Sequence, residues 1–486
     1  MSRYKHGVRV EEQKTTLNTP VTGTSGLQVI IGTAPVHTKS DSGNLVNRPV
    51  LVNSYEEAVE VLGYSDDWKM YTLCQCMFVS RTYNVFPMVF INVLDPETDV
   101  KEMSAVEWDC SEKKEYTFPG ENVVKNSVRV MKGEMALAEG TDYIVSVSDT
   151  GQVTVSLLGS SSYYEETALS LKAKEIDFTE KEMAMKVVGG YSSSSGRNSG
   201  ISCVNDVFPL HQLTPGLILA PGFSQYPEVS VALQAAAVDI NGEFYANAVI
   251  DIDSSDSGAV KCADFVEQKE KQCVVSEHAI ALWPKVKSGE RELYYSALYA
   301  AAVAYLDAQN GDVPNLSPSN KTIQISAAVL ESGEELRMDK QAANDHINAN
   351  GGVTALNYGG WKMWGNNTAA YPANKDPKDR WICARRFFNY YRNKLILTIA
   401  SKVDDLGNFR LIEAICDNEN IWFNAMKSKL YIAGGIVSYN ADENPIENIM
   451  DGHMVFHVKL ATYLPAEDIL FRVEFDPTIL QSALAG

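Results

Sequence analysis

The stretch Leu27-Gln-Val-Ile-Ile31 decides the fold class, and Pro87-Met-Val-Phe-Ile-Asn-Val93 repeats its pattern. Both are nearly continuous apolar runs, which is typical of strands buried on both faces of a sheet. Two helices are predicted between them. Ser54-Tyr-Glu-Glu57 has the spacing of a capping box and opens a helix to about Leu62, and a second helix is predicted from about 68 to 83. This strand–helix alternation predicts a parallel or mixed sheet covered on both faces by helices.

The same alternation returns in the middle of the chain. The predicted strands and helices are, in chain order, 216–220, 227–240, 246–252, 278–283 and 291–309. The sequence therefore predicts an α/β core domain made of residues 26–95 plus 202–370, in which the two parts share one mixed sheet.

Residues 96–201 follow a different pattern. Thr141–Val147 and Gln152–Leu157 alternate with period two around Asp149-Thr-Gly151, which predicts a β-hairpin. The segment ends in Gly189-Gly-Tyr-Ser-Ser-Ser-Ser-Gly196, a composition typical of flexible linkers. We expect a small inserted all-β domain, β-sandwich-like, within the α/β core.

Residues 371–486 are predicted to form an α+β C-terminal domain. Helices are expected from about 382 to 403 and from 420 to 430, followed by strands at 454–460 and 468–475. Each strand alternates apolar and polar residues, which favours a half-exposed antiparallel hairpin at the end of the chain. The expected fold class is therefore α/β and multidomain, with a mixed-sheet core domain, an inserted all-β domain and an α+β C-terminal domain.

Residues 1–25 are predicted to be an extended N-terminal arm. They are rich in Thr, Asn, Pro and Gly, and Gly7–Glu11 is the one piece that reads as a strand. A polar terminus is usually frayed unless it is held by a partner. The two alternatives are therefore a disordered tail and a strand that pairs elsewhere.

Charge and hydropathy limit the classes of partner. Acidic residues outnumber basic residues 62 to 42, which gives a net charge of −20 and a pI near 4.9. This balance argues against nucleic-acid binding, which needs clustered Lys and Arg. The longest uncharged apolar stretch, 294–306, is shorter than the ~20 residues that span a bilayer, and the start of the chain lacks the apolar core of a signal peptide. We expect no direct membrane insertion and synthesis in a cytoplasm.

Motifs of catalysis are not found in the sequence. There is no phosphate-binding Gly-x-x-x-x-Gly-Lys-Ser/Thr, and Gly23-Thr-Ser-Gly26 does not match the nucleophile elbow. His453 and His457 lie in a predicted strand, where i, i+4 side chains stand ~13 Å apart and do not share one ion. No catalytic, cofactor-binding or metal residue is expected. The open alternative is an α/β hydrolase-like enzyme with an unrecognised site.

Two further groups of residues have a structural interpretation. Asp239, Asp251 and Asp253 are interpreted as solvated carboxylates at strand ends. In Arg385-Arg-Phe-Phe-Asn-Tyr-Tyr-Arg392 the aromatic side chains fall at helical spacing i, i+3, i+4, which is typical of a core-facing stripe. The three arginines are expected to pair with acidic neighbours or with another subunit.

An ordered set of segments resembles contractile tail sheath proteins of phages and R-type bacteriocins. No single motif is specific, but the segments follow the family's order along nearly the whole chain, apart from the inserted β segment. They are Tyr4–Glu11, Thr22–Pro35, Leu219–Ser224, Val231–Ala237, Arg385–Tyr390, Phe456–Leu460 and Leu470–Phe475.

The resemblance implies a structural, non-enzymatic subunit that polymerises helically around a tail tube. Contraction of the sheath would then drive the tube through a bacterial envelope. The implied partners are further copies of the chain, a tail tube protein, and baseplate and tail-terminator proteins. The resemblance also implies a subtilisin-like fold for the core domain, assembly in the host cytoplasm, and a place in a phage tail or a released tail-like particle.

In that family an N-terminal arm and C-terminal strands of neighbouring subunits complete one sheet. A two-stranded hairpin alone is marginal in water, so the C-terminal strands need a further strand or a packed face. We therefore expect the arm and the C-terminal strands to link subunits. The candidate linking residues are Val8, Val10, Met454, Phe456, Val458, Ile469, Phe471 and Val473.

Overall fold

The structure is a computed structural model that describes residues 25–39, 42–148 and 151–484. Its α-helices are α1 (Tyr55–Leu62), α2 (Leu73–Tyr83), α3 (Glu180–Val188), α4 (Val207–His211), α5 (Pro227–Val238), α6 (Phe265–Lys271), α7 (Tyr295–Gln309), α8 (Lys340–Ala342), α9 (Pro377–Arg380), α10 (Ile382–Ile399), α11 (Phe409–Ser428), α12 (Ile446–Met450) and α13 (Pro477–Leu484). Short 3₁₀ segments join several of them.

The strands are numbered in the same way along the chain. The first twelve are β1 (Gln28–Gly32), β2 (Pro49–Val52), β3 (Met88–Asn92), β4 (Val100–Glu102), β5 (Val106–Asp109), β6 (Glu115–Thr117), β7 (Arg129–Lys132), β8 (Met135–Ala136), β9 (Tyr143–Val147), β10 (Val153–Leu157), β11 (Ala168–Lys172) and β12 (Lys174–Ile176). The others are β13 (Gly190–Ser192), β14 (Arg197–Ser199), β15 (Leu217–Leu219), β16 (Asn247–Asp251), β17 (Ala279–Leu282), β18 (Lys285–Ser288), β19 (Arg291–Leu293), β20 (Ala327–Val329), β21 (Gly352–Asn357), β22 (Trp361–Trp364), β23 (Ile432–Tyr439) and β24 (Phe456–Thr462).

An eight-stranded mixed sheet forms the centre of the molecule, with strand order β2-β3-β1-β15-β16-β17-β21-β22. The six inner strands run parallel, and β2 and β22 pair antiparallel at the two edges. Val29 of β1 lies opposite Val89 of β3 and Ile218 of β15, which joins the early and middle parts of the chain in one sheet. Every residue of β1, β3 and β16 is buried, as predicted from their apolar runs.

Helix α1 begins where the sequence predicts it. The Ser54 hydroxyl accepts a hydrogen bond from the Glu57 N–H at 3.1 Å, and this N-cap satisfies one of the free donors of the first turn. The Glu57 carboxylate differs from the predicted capping box, because it accepts from the N–H of Asn53 at 2.7 Å instead of from Ser54. The helix then ends at Leu62, also as predicted.

The middle segment folds into small antiparallel sheets with their own apolar cluster. The predicted hairpin is confirmed as β9–β10, in which Val145 lies opposite Val155. Side chains such as Trp108, Phe118 and Tyr143 form a buried cluster separate from that of the central sheet. This separation follows from the short alternating strands, which offer one apolar face to each other rather than to helices.

Two features at the end of this segment differ from the expectation. Residues 180–188 form helix α3, capped by a reciprocal pair between Thr179 and Glu182, and Met183 and Val187 of this helix belong to the main core. The glycine- and serine-rich stretch is not an open linker, since Gly190–Ser192 and Arg197–Ser199 pair as the hairpin β13–β14. The Thr-x-x-Glu signal of α3 was present in the sequence.

The C-terminal part packs α10 and α11 against a two-stranded antiparallel sheet. The aromatic stripe is confirmed, because Phe387, Tyr390 and Tyr391 are buried together with Phe423 of α11. The predicted pairing of 454–460 with 468–475 is wrong. Strand β24 pairs with β23 instead, and residues 463–476 carry no regular secondary structure. Alternation specified one apolar face of β24 but not its partner strand.

None of the helices in the described parts of the chain has the length and apolar character needed to cross a membrane.

Candidate subunit-linking surface

Strands β23 and β24 form a ribbon that lies on helix α11, hereafter the C-terminal ribbon. Val437 lies opposite Val458, and Gly435 opposite Leu460. Phe456, Val458 and Leu460 pack against the cluster that contains Phe423, while the residues between them point to solvent. A Cβ on Gly435 would lie 2.5 Å from the Phe423 ring, so only glycine permits this close approach.

The C-terminal ribbon has one open edge, along β24. Within the described ranges, β23 and β24 pair only with each other. The outer edge of β23 faces α11, where the Val437 N–H donates to Asn420 Oδ1 at 2.8 Å and the Val437 carbonyl oxygen accepts from Asn420 Nδ2 at 3.0 Å. Strand β24 presents the backbone groups of its outer edge to solvent, and such an edge can pair with another extended segment.

Residues 463–476, hereafter the C-terminal extension, leave the end of β24 in an irregular conformation. Its apolar side chains are strongly exposed: Ile469 is 66% accessible, Phe471 81% and Val473 95%. A run of large apolar residues this exposed is unusual for a monomer and is typical of a segment that is covered in an assembly.

The structure places the predicted linking residues in two different environments. Phe456 and Val458 are half-buried on the face of the C-terminal ribbon that packs against α11, and the Met454 methyl lies against Gly407. Ile469, Phe471 and Val473 lie on the exposed extension and share no sheet with the first group. Val8 and Val10 lie outside the described residues.

Helix α10 anchors this surface to the core through buried ion pairs. Arg386 makes a bidentate pair with Asp307 of α7, and its Nη2 also donates to the Ser25 carbonyl oxygen at 3.2 Å. Lys394 pairs with Glu419 of α11, and burial lowers the pKa of this lysine while the carboxylate opposes the change. These contacts join the root of the N-terminal arm, the core and the C-terminal part.

The other arginines of the predicted stripe are placed differently. Arg385 pairs with the Asp379 carboxylate at 2.9 Å, as expected. Arg392 has an aromatic partner instead of a carboxylate, since its guanidinium lies 3.1 Å from the centre of the Tyr245 ring. Stacking of this kind suits arginine because its charge is spread over a planar group.

Sequence reasoning missed a second polar cluster, around Asp251 at the end of β16. Asp251 is only 5% accessible, so it is not the solvated carboxylate that was expected. Its carboxylate accepts hydrogen bonds from the Ser296 N–H at 2.8 Å and hydroxyl at 2.5 Å, and from the Ser224 hydroxyl at 3.3 Å. Burial raises the pKa of Asp251 to about 6, and the hydrogen bonds from Ser296 and Ser224 oppose the rise.

The Asp251 cluster resembles a catalytic arrangement only in composition. Both serine hydroxyls donate to the Asp251 carboxylate, but Ser224 and Ser296 are fully buried, so no substrate can reach a serine nucleophile here. His278 lies just before β17, at the opposite end of the sheet, and contacts the Ala246 carbonyl oxygen and Asn389 rather than either serine. Within the described ranges there is also no group of three side chains suited to bind a metal. The cluster therefore fixes the end of β16 to the start of α7.

Comparisons of sequence and of structure both match this chain to tail sheath proteins. The tail sheath protein of Burkholderia phage BcepMu is 24% identical in sequence, and the alignment covers 100% of this chain and 99% of the relative. The contracted helical sheath of the anti-feeding prophage has the same fold, with a TM-score of 0.58 at 12% identity, over 98% of this chain and 100% of the other. The chain resembles contractile tail sheath proteins from end to end.

Two further comparisons agree with this. A putative prophage major tail sheath protein of Pseudomonas aeruginosa is 23% identical over 63% of this chain and 76% of the relative. The sheath of an extracellular contractile injection system, also in the contracted state, gives a TM-score of 0.55 at 13% identity over 99% of both chains. No family model matches the sequence. None of these four proteins is named as a hydrolase, so they give the hydrolase alternative no support.

Proposed function

We propose that the chain is a structural, non-enzymatic subunit of a contractile tail sheath. In this role it polymerises helically around a tail tube and contracts to drive the tube through a bacterial envelope. The observation that carries the proposal is the sequence similarity to a phage tail sheath protein over the full length of both chains. The matching mixed α/β fold supports it independently.

The linkage between subunits is proposed to be strand exchange. The C-terminal ribbon offers an open edge along β24, and the C-terminal extension carries exposed alternating apolar residues. The N-terminal arm supplies a second candidate strand around Val8 and Val10. A contact of this kind joins different surfaces of two copies, so it propagates into a helix rather than closing into a dimer. The linking residues remain those predicted from the sequence.

The domain division is part of the same proposal. Residues 1–25 act as the arm, 26–95 plus 202–370 as a subtilisin-like core domain, 96–201 as the insert, and 371–486 as the sheath domain. The separate apolar clusters of the insert and of the C-terminal part support this division, while Met183 and Val187 pack helix α3 of the insert onto the core domain.

The partners and location follow from the assembly. Further copies of the chain form the sheath, and a baseplate protein meets its end, in keeping with a match to a chain of the anti-feeding prophage baseplate. A tail tube protein and a tail-terminator protein are proposed as the inner and distal partners. Assembly takes place in the bacterial host cytoplasm, and the sheath becomes part of a phage tail or a released tail-like particle.

Deletion of residues 2–20 tests the proposal. The truncated protomer is expected to fold and stay soluble but to form no sheath in negative-stain images, since a linking strand is lost. Phe471→Asp is expected to act in the same way, because a charge on the extension opposes its burial against a neighbour. Leu406→Asp is the matched control, since Leu406 is 83% accessible and lies outside both segments. Sheaths of normal length from the deleted protein would defeat strand exchange by the arm.

A further inference from the structure

One ion pair joins the C-terminal extension to the body of the protomer. Arg380 Nη2 donates to Glu467 Oε2 at 2.6 Å. Among the hydrogen bonds and ion pairs of the described residues, this is the only one that connects residues 463–475 to another part of the chain. The rest of the extension is free to take many directions unless this pair restricts it.

The arginine side of the pair is held in place before any partner arrives. The Arg380 guanidinium lies 4.0 Å from the ring centre of Trp381 and 4.5 Å from that of Tyr371. Its Nε donates to Asn367 Oδ1 at 2.9 Å. An arginine fixed by two rings and an amide loses little side-chain freedom when it binds a carboxylate.

The pair is also placed at the point where the extension leaves the protomer. Pro465–Asp468 forms one wall of a cleft of about 650 Å³, and Trp364, Trp381 and Lys340 line other sides. The exposed apolar alternation begins at Ile469, two residues after Glu467. Glu467 is therefore the fixed point from which the next seven residues start, and these residues span ~23 Å when fully extended.

We infer that Arg380 and Glu467 of the same protomer form a positioning pair that orients the C-terminal extension for strand exchange. The inference rests on the proposed function. A segment that spends more time in the competent orientation binds with a higher apparent affinity, in proportion to the competent fraction. Neither side chain has to touch the neighbouring subunit.

A charge exchange tests this inference. Glu467→Arg and Arg380→Glu are each expected to raise the protomer concentration needed for sheath assembly by about two- to fivefold, the range of one partly exposed ion pair. The double variant, in which the charges are exchanged, is expected to recover part of the loss, because the ion pair returns but the stacking on Trp381 and Tyr371 does not. An equimolar mixture of the two single variants is expected to remain impaired, because the pair forms within one protomer. Rescue by the mixture would overturn that placement.

Two controls keep the result specific. Asp468→Arg makes the same charge change one residue further on, outside the pair, and is expected to assemble as the unmodified chain does. A nitroxide on Ala466→Cys, with the exposed Cys273 and the partly exposed Cys262 and Cys416 changed to Ser, reports the motion of the extension in the free protomer. Its spectrum is expected to sharpen with Glu467→Arg, a change on the extension that leaves the folded core untouched.

The outcomes separate this inference from the proposed function. If Phe471→Asp blocks assembly while Glu467→Arg assembles normally and leaves the nitroxide spectrum unchanged, the positioning pair is refuted and the sheath function stands. If Phe471→Asp and the arm deletion both assemble normally, the proposed linkage fails first.

Discussion

The buried pair between Arg386 and Asp307 offers a test of how the C-terminal part is held on the core. The two residues are 3% and 2% accessible, and their side chains join α10 to α7 across 79 residues of sequence. Ser25 completes the group, since its carbonyl oxygen accepts from Arg386 and its hydroxyl donates to Asp307 at 3.2 Å. We consider the variants Arg386→Met, Asp307→Leu and both together.

Each single variant leaves one buried charge without its partner. Loss of one member of a buried pair costs about 3–5 kcal/mol of the free energy of unfolding. Replacing both members by apolar side chains removes the charges together, so only the hydrogen bonds of Ser25 are lost, at about 1–2 kcal/mol. The two positions are therefore expected to couple by at least about 4 kcal/mol.

Urea denaturation of the unassembled protomer, followed by far-ultraviolet circular dichroism, measures these differences. Lys402→Met is the matched control, because Lys402 makes an exposed pair with Asp405 and its loss should change the free energy of unfolding by less than about 1 kcal/mol. The reasoning is refuted if either single variant costs less than about 1 kcal/mol, or if the double variant loses the sum of the two single effects.

Further predictions concern pH and packing. Burial lowers the pKa of His37 from 6.5 to about 4, although its hydrogen bond to a carbonyl oxygen opposes the shift. As the pH falls from 6.5 to 4, the His37 side chain is therefore protonated in the unfolded state but not in the folded state. The folded state therefore loses up to about 3 kcal/mol between pH 6.5 and 4. Burial raises the pKa of Asp251 from 3.8 to about 6, so this group destabilises the fold by up to about 3 kcal/mol as pH rises through that range. Relative to the unmodified chain, His37→Phe should therefore be more stable at pH 4.5 than at pH 6.5, and Asp251→Asn more stable at pH 6.5 than at pH 4.5. Urea titrations in which each variant differs from the unmodified chain by the same free energy of unfolding at both pH values would contradict this. Phe387→Ala should lower the free energy of unfolding by about 3–5 kcal/mol because Phe387 is fully buried, whereas Phe409→Ala, at a side chain 71% accessible, should change it by less than about 0.5 kcal/mol in the same titration.

Much of the fold could be predicted because the strands and helices concerned depend on residues that are close together in the sequence. The apolar run at 27–31 is long enough for one strand and has no polar face, so it had to be buried on both sides. The stripe of Phe387, Tyr390 and Tyr391 follows helical spacing, and the structure buries it as predicted. The start of α1 needed only Ser54 and the residues of its own first turn.

The candidate linking surface was predicted less well, and the reason is physical. Alternation along β24 specifies which side chains share a face but not which strand lies beside it. Its partner β23 contains Gly434 and Gly435, which weaken any strand signal, and Gly435 is explained only by the nearby ring of Phe423.

By itself, the sequence determined most local elements, the buried character of the central strands and the apolar alternation along β24, since each depends on neighbouring residues. Only the tertiary structure decided which distant groups meet. Arg386 and Asp307 are 79 residues apart and Arg380 and Glu467 are 87 residues apart, and no periodicity encodes such a pairing. The sequence around a charged side chain does not identify its partner, because the packing of whole helices and strands brings the two together.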